Sequence, residues 1–523
     1  MAYNSCGKYT SIVVFGASGD LAKKKTFPAL FGLFREGELP DTIQIIGYAR
    51  TNLDQQEFKL RISQHFKGGS DDQRKKFLSL ITYHHGQYDQ DNDYKKLNDK
   101  LVEYEKNHDN ISHRIFYLAL PPQVFITVAE KLKANCYPSN LDANNNNNDN
   151  NTNNTNSENN QKSDDPIFRV IIEKPFGHDL QSAQALQTQL GPLFLEDEIY
   201  RIDHYLGKEM VKNLLVLRFG NEFFNGTWNH KHIKSIQISF KENFGTQGRG
   251  GYFDSIGIIR DVMQNHLLQV LTLLTMERPV SFDPEAVRDE KVKVLKAFSD
   301  IDNNDILLGQ YTKSTDGKNP GYLDDDTVDK NSKAVTYAAI GLQIHNERWE
   351  GVPIVMRAGK ALDESKVEIR IQYKPVAKGM FKEIQRNELV IRIQPNEAVY
   401  LKINSKIPGI STKTNLTDLD LTYATRYSHQ FWIPEAYEAL IRDCYLGNHS
   451  NFVRDDELDV SWKLFTPLLN YIESKDGPTP ELYPYGSKGP KELRKFLSQH
   501  DYVFADEGTY EWPVTTPPSK EKL

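Results

Sequence analysis

At 523 residues the chain exceeds what one hydrophobic core usually serves, so two domains are expected. With 38% hydrophobic and 11% aromatic residues it has the make-up of a soluble globular protein, and a net charge of -7, from 64 Lys+Arg against 71 Asp+Glu, argues against nucleic acid as its main partner. No run of about 18 apolar residues is present, Met1–Thr10 has no signal-peptide core, and Cys6, Cys136 and Cys444 show neither a disulfide framework nor a zinc spacing; a reduced, cytoplasmic protein with no membrane span and no metal is expected.

Ser11–Phe15 (Ser-Ile-Val-Val-Phe) predicts a buried parallel strand that ends in the glycine turn Gly16-Ala17-Ser18-Gly19-Asp20. A helix is expected over Leu21 to about Phe34, capped by Asp20 or Ser18 and made irregular by Pro28. A second strand, Ile43–Arg50, completes a βαβ unit. Strands at Arg114–Leu120 and Phe168–Ile172, with helices at Phe58–Phe66 and Val124–Lys133, extend it into a doubly wound, Rossmann-like α/β domain over residues 1–200. Ala143–Asp165 is almost all Asn, Asp, Ser and Thr; it cannot bury apolar surface, and a disordered surface insertion is expected.

From Ile233 the period changes. Ile236, Ile238 and Phe240 alternate with polar residues, as do Val367, Ile369, Ile371 and Tyr373, then Leu389, Ile391 and Ile393, then Val399, Leu401 and Ile403. Period two predicts antiparallel strands with one covered face. With an interleaved helix at Ile258–Met276, residues 201–523 read as an α+β domain built on a large, mainly antiparallel sheet.

Several segments carry polar chemistry. Asp203-His204-Tyr205-Leu206-Gly207-Lys208 groups a carboxylate, an imidazole, a phenol and an ammonium around one glycine, which suits either a small anionic, hydroxylated ligand or a polar turn. The turn Gly16–Gly19 at a helix start suits a pyrophosphate, with Lys23, Lys24 and Lys25 adding positive charge or forming a solvated face. Arg50 stands where NAD-binding units usually place an acid, so it reads as a partner for a 2′-phosphate, hence NADP, or as a surface arginine. Lys174, in Glu173-Lys174-Pro175-Phe176-Gly177, follows a strand at its ligand-facing end. His266 lies near the edge of the apolar face Ile259, Val262, Met263, Leu267, and is either a satisfied core histidine or a general base oriented by Asp203 or Asp261. Arg357, Lys360, Lys366, Arg370, Arg392 and Lys402 form a cationic series, several on one sheet face: a solvated face or a site for a second phosphate-rich ligand.

Together, Gly16–Lys25, Glu173–Gly177, Arg201–Glu209 and Gly248–His266 resemble the glucose-6-phosphate dehydrogenase family, from about Ser11 to Trp512; the Asn-rich stretch departs from it. The resemblance implies oxidation of β-D-glucose 6-phosphate at C1 to 6-phosphoglucono-1,5-lactone with reduction of NADP, the first step of the oxidative pentose phosphate pathway. It implies His266 as base and Asp203 as its charge partner. His204, Tyr205 and Lys208 would take the 6-phosphate, and Glu242, Asp261, Lys360 and Gln394 the sugar or its support. Lys174 would touch substrate and cofactor, and Gly16, Ala17, Ser18, Gly19, Asp20, Leu21, Ala22, Lys23, Arg50 and Tyr117 would bind the cofactor. A structural NADP would match Arg357, Lys366, Arg370, Arg392, Tyr400, Lys402, Asp420 and Trp512, with Ser365 and Lys488 departing from arginines found in relatives. A second domain that binds substrate and forms a homodimer or homotetramer is implied as well. The alternatives are an NADP dehydrogenase of another sugar and a non-catalytic NADP-binding protein.

Overall fold

The computed structural model describes residues 6–7, 9–138, 165–377, 379–380, 384–410, 412–427 and 431–504. The expected insertion, apart from Asp165, and Trp512 lie outside them. The chain forms two compact units: residues 1–207, 279–289 and 434–459, and residues 208–278, 290–433 and 460–523.

The first unit is built on a six-stranded parallel sheet. Its strands are β1 (Thr10–Phe15), β2 (Gln44–Ala49), β3 (Ile81–His85), β4 (His113–Leu118), β5 (Ile167–Glu173) and β6 (Ile199–Ile202), in the order β3-β2-β1-β4-β5-β6. β1, β4, β5 and β6 are buried along their whole length, as strands covered on both faces must be. The doubly wound expectation holds.

Three local features differ from the sequence reading. The helix after the glycine turn opens with a π-helical stretch, Ala22–Thr26, that runs on into the α-helix Phe27–Arg35, with Pro28 just past the junction. Asp20 is not a cap: its carboxylate pairs with Lys23 and Lys24, each at 3.1 Å. β3 carries no sequence expectation, because Ile-Thr-Tyr-His-His is an edge strand with only two buried positions.

The second unit holds a nine-stranded sheet. Its strands are β7 (Ile233–Lys241), β8 (Ile306–Thr312), β9 (Tyr337–Leu342), β10 (Ile354–Gly359), β11 (Lys366–Tyr373), β12 (Glu388–Gln394), β13 (Ala398–Lys406), β14 (Thr414–Thr422) and β15 (Glu481–Pro484). The order is β14-β13-β12-β11-β7-β10-β9-β8-β15. Only β7 with β10 and β8 with β15 run parallel. Ile238, Met356, Ile369 and Ile391 lie in register on one face. The segment Ile259–Leu267 packs on this sheet at β10 and β7, and the helix Glu209–Phe219 at β12. The other face is polar.

Candidate active site

In the first unit the carboxyl ends of the strands gather the polar residues. Gly16, at φ +72°, turns the chain out of β1; a Cβ there would lie 2.2 Å from the Ala119 carbonyl oxygen, so only glycine fits. The turn closes with Gly19 N–H donating to the Gly16 carbonyl at 2.8 Å. Ser18 and Thr51 hydroxyls stand 3.1 Å apart, which brings the glycine turn against the end of β2, and Arg50 is exposed beside them. That end of β2 offers a guanidinium and hydroxyls and no acid at Arg50, a donor set that fits a phosphorylated ribose.

Tyr117 of β4 is 1% exposed, and its hydroxyl donates to the Glu173 carboxylate. Glu173 closes β5 and is buried; burial raises its pKa to about 7 against the Tyr117 hydrogen bond and the Lys174 charge. Lys174 follows it, half-buried. Through β5–β6 pairing Glu173 stands opposite Ile202, one residue before Asp203. Asp203 is 3% exposed and accepts the Tyr205 N–H at 2.9 Å, tightening the turn that follows β6. The His204 ring stacks on Tyr437 with centroids 6.0 Å apart and planes at 9°. The glycine of this motif is explained by close approach: a Cβ on Gly207 would lie 2.4 Å from the Ala436 carbonyl oxygen. Lys208 occupies the N-cap position of the helix Glu209–Phe219.

In the second unit β7 and β10 run parallel, so Glu242 and Lys360 emerge side by side, with Glu242 N–H donating to the Gly359 carbonyl at 2.9 Å. Lys360 Nζ lies 2.6 Å from Glu242 Oε2 and 3.3 Å from Asp261 Oδ2. Burial disfavours the Lys360 ammonium, but Asp261 and Glu242 outweigh it and hold its pKa above the ordinary value. Asp261 and His266 share the segment Ile259–Leu267, which is wound as a π-helix and not as the expected α-helix. In an α-helix residues five apart point about 140° away from each other. The π-helical i→i+5 ladder instead sets them in adjacent turns. His266 is 3% exposed, and Gln264, also buried, donates to the Ser461 hydroxyl at 3.0 Å.

Gln394 ends β12 beyond a register shift: Glu368 opposes Arg392, but Val367 opposes Gln394. The bulge turns Gln394 onto the covered face of the sheet, while Arg392 stays on the polar face.

That polar face carries Arg357, Lys366, Arg370, Arg392, Tyr400, Lys402 and Asp420 in register. Two acids that the sequence reading did not single out lie among them. Glu368 and Glu388, each 2% exposed, pair with Arg370 at 2.8 Å. Although burial opposes it, Arg370 and Lys366 bring Glu368 down to about 2. Lys366 also meets Glu364 at 2.8 Å. The signal was present in the alternation Lys366, Glu368, Arg370, since residues two apart share a strand face. Ser365 and Lys488 are exposed.

Residues 13–213 match the family model described as glucose-6-phosphate dehydrogenase, NAD binding domain, and residues 215–512 match glucose-6-phosphate dehydrogenase, C-terminal domain. The chain is 70% identical over 515 residues to glucose-6-phosphate 1-dehydrogenase of Cyberlindnera jadinii, covering 98% of this chain and 99% of that one. Against the enzyme of the same name from Saccharomyces cerevisiae identity is 62% over 516 residues, covering 98% and 97%. A solved glucose-6-phosphate dehydrogenase in complex with its substrate glucose-6-phosphate superposes with a TM-score of 0.89 at 60% identity, over 97% of this chain and 99% of that one.

Proposed function

The chain belongs to the glucose-6-phosphate dehydrogenase family, and we propose that His266 is the base through which it works as an NADP-dependent oxidoreductase. It oxidises β-D-glucose 6-phosphate at C1 to 6-phospho-D-glucono-1,5-lactone, the first step of the oxidative pentose phosphate pathway. NADP supplies the hydride acceptor. His266 takes the C1 hydroxyl proton on a ring nitrogen as the C1–H electron pair departs and the C1–O double bond forms. Asp203 stabilises the imidazolium so formed. His204, Tyr205 and Lys208 hold the 6-phosphate, remote from C1, so that their binding energy goes into positioning. Lys360, Glu242, Asp261 and Gln394 bind or support the sugar hydroxyls, and Lys174 serves substrate and cofactor together.

The cofactor side is Gly16 to Lys23 with Arg50 and Tyr117, whose hydroxyl donates to the Glu173 carboxylate. Residues 1–200 are assigned to the cofactor, and residues 201–523 to substrate and self-assembly. A second, structural NADP on the polar sheet face would use Arg357, Lys366, Arg370, Arg392, Tyr400, Lys402, Asp420 and Trp512. The ion pairs with Glu368 and Glu388 would compete with it. Cys6, Cys136 and Cys444 are buried and form no disulfide among the described residues, which supports a reducing compartment, and the cytoplasm is proposed. Among the described residues no helix is long and apolar enough to cross a membrane. Assembly as a homodimer or homotetramer is proposed, supported by Leu419, 58% exposed on the edge strand β14.

The observation that carries this reading is a buried histidine on a π-helical segment whose Asp261 is gripped by Lys360 and, through it, by Glu242. The test is absorbance at 340 nm with NADP and glucose 6-phosphate, against free glucose and against NAD. NADPH formation from glucose 6-phosphate is expected, and its absence would overturn the assignment.

A further inference from the structure

Arg50 leaves the carboxyl end of β2 with its guanidinium carbon 5.1 Å from the centroid of the Tyr88 ring. The two differ in exposure. Arg50 is exposed, and Tyr88, in the loop after β3, is 8% exposed. Tyr88 is fixed from behind by Tyr48 of β2, with centroids 6.1 Å apart, and by Phe15 of β1 at 6.5 Å. Its hydroxyl faces the Gly16 backbone N–H and the Arg50 side chain: burial raises the phenol pKa, and both of these neighbours act against that rise. His85 Nε2 meets the Arg50 carbonyl oxygen at 3.0 Å, so the main chain is tethered too.

An exposed arginine ordinarily samples many rotamers, and a ligand that uses it must bear the ordering cost. A buried aromatic face beneath the guanidinium removes part of that cost, because the cation is attracted to the ring before any ligand arrives. Arg50 precedes Thr51, whose hydroxyl pairs with Ser18 of the glycine turn at 3.1 Å, so a planar fork held in place would serve a ribose phosphate received at that turn.

We propose that Tyr88 is a specificity-positioning residue, holding Arg50 for the 2′-phosphate of the cofactor and tying that arginine to the Gly16 turn. This rests on the reading that Arg50 receives the 2′-phosphate. Tyr88 acts through Arg50, so its loss should weaken nucleotides that carry a 2′-phosphate and spare those that do not.

The experiment measures competition against NADP by 2′,5′-ADP and by 5′-AMP in the full-length enzyme and in Tyr88→Leu, Tyr88→Phe, Arg50→Gln and Arg50→Gln/Tyr88→Leu. Tyr88→Leu should raise the Ki of 2′,5′-ADP about tenfold and that of 5′-AMP less than about twofold. Tyr88→Phe, which keeps the ring and guards against a folding defect, should fall between wild type and Tyr88→Leu. The double variant should be no weaker for 2′,5′-ADP than Arg50→Gln alone, since the ring acts only through the arginine. If Arg50→Gln is selective for the 2′-phosphate but both Tyr88 variants bind 2′,5′-ADP as wild type does, or weaken both nucleotides equally, the role of Tyr88 is refuted. If Arg50→Gln itself shows no selectivity, the assignment of Arg50 falls first, and that of Tyr88 with it.

Discussion

Lys360 and Glu242 are 118 residues apart in sequence, and their charged atoms meet at 2.6 Å at the ends of two parallel strands. Parallel pairing of β7 with β10 is what makes the meeting possible: both strands end at the same edge and deliver their next residues together. Asp261 then adds a second carboxylate at 3.3 Å. Lys360→Met leaves two acids facing each other, one of them mostly buried. We expect a stability loss of about 2 kcal/mol together with a rise of about tenfold in KM for glucose 6-phosphate. The pKa of Lys360 is raised in the fold, so its contribution is fully present below the ordinary lysine value and is lost only as pH rises through the folded value. The stability deficit of the variant should therefore be level between about pH 6 and pH 9. Thermal melts across that range check it.

Glu173 has the opposite consequence. Burial holds its folded pKa at about 7, above the unfolded carboxyl range. Between those two values the folded state retains a proton that the unfolded state has lost, so wild-type stability falls as pH rises. Glu173→Gln cannot ionise and should escape this loss. Relative to the variant, the wild type should lose up to about 3 kcal/mol from pH 4.5 to pH 7 and nothing further above it. Denaturant titrations at several pH values read the difference directly, and a constant difference across the range would refute the account.

Arg370 bridges two acids that are each 2% exposed. Arg370→Met should cost about 3 kcal/mol, because Glu368 and Glu388 would remain buried without their shared cation. Arg370→Met/Glu368→Gln should recover part of the loss, since one of the stranded charges is gone. Melting temperatures of the two variants test this; a double variant no more stable than the single one would show that the ion pair is not the cause.

Much of this architecture was legible in the chain. β1, the glycine turn and β2 announce themselves through apolar runs bounded by glycine, and β7, β11, β12 and β13 through strict alternation. The motif Asp203 to Lys208 stood out because no structural element calls for that mixture, and the structure adds what the sequence could not show: the Asp203 bond to the Tyr205 N–H, the His204 stack on Tyr437 and the close approach at Gly207. What was not legible depends on contacts distant in sequence. The π-helical winding of Ile259–Leu267 leaves no mark in the apolar pattern, which fits an α-helix as well. The register shift that turns Gln394 away from Arg392 arises from pairing with β11. β3 escaped because an edge strand needs few apolar residues, and with it went the loop that holds Tyr88 under Arg50.

The central claim is that His266 acts as the base, and the most direct measurement is the pair kcat and Kd for glucose 6-phosphate in His266→Asn. The amide can fill the space but cannot take the proton. We predict that kcat falls about a thousandfold while Kd stays within about threefold. A variant that keeps kcat within about tenfold of wild type, or loses binding in proportion to turnover, would contradict the assignment and make His266 a structural or ligand-holding residue.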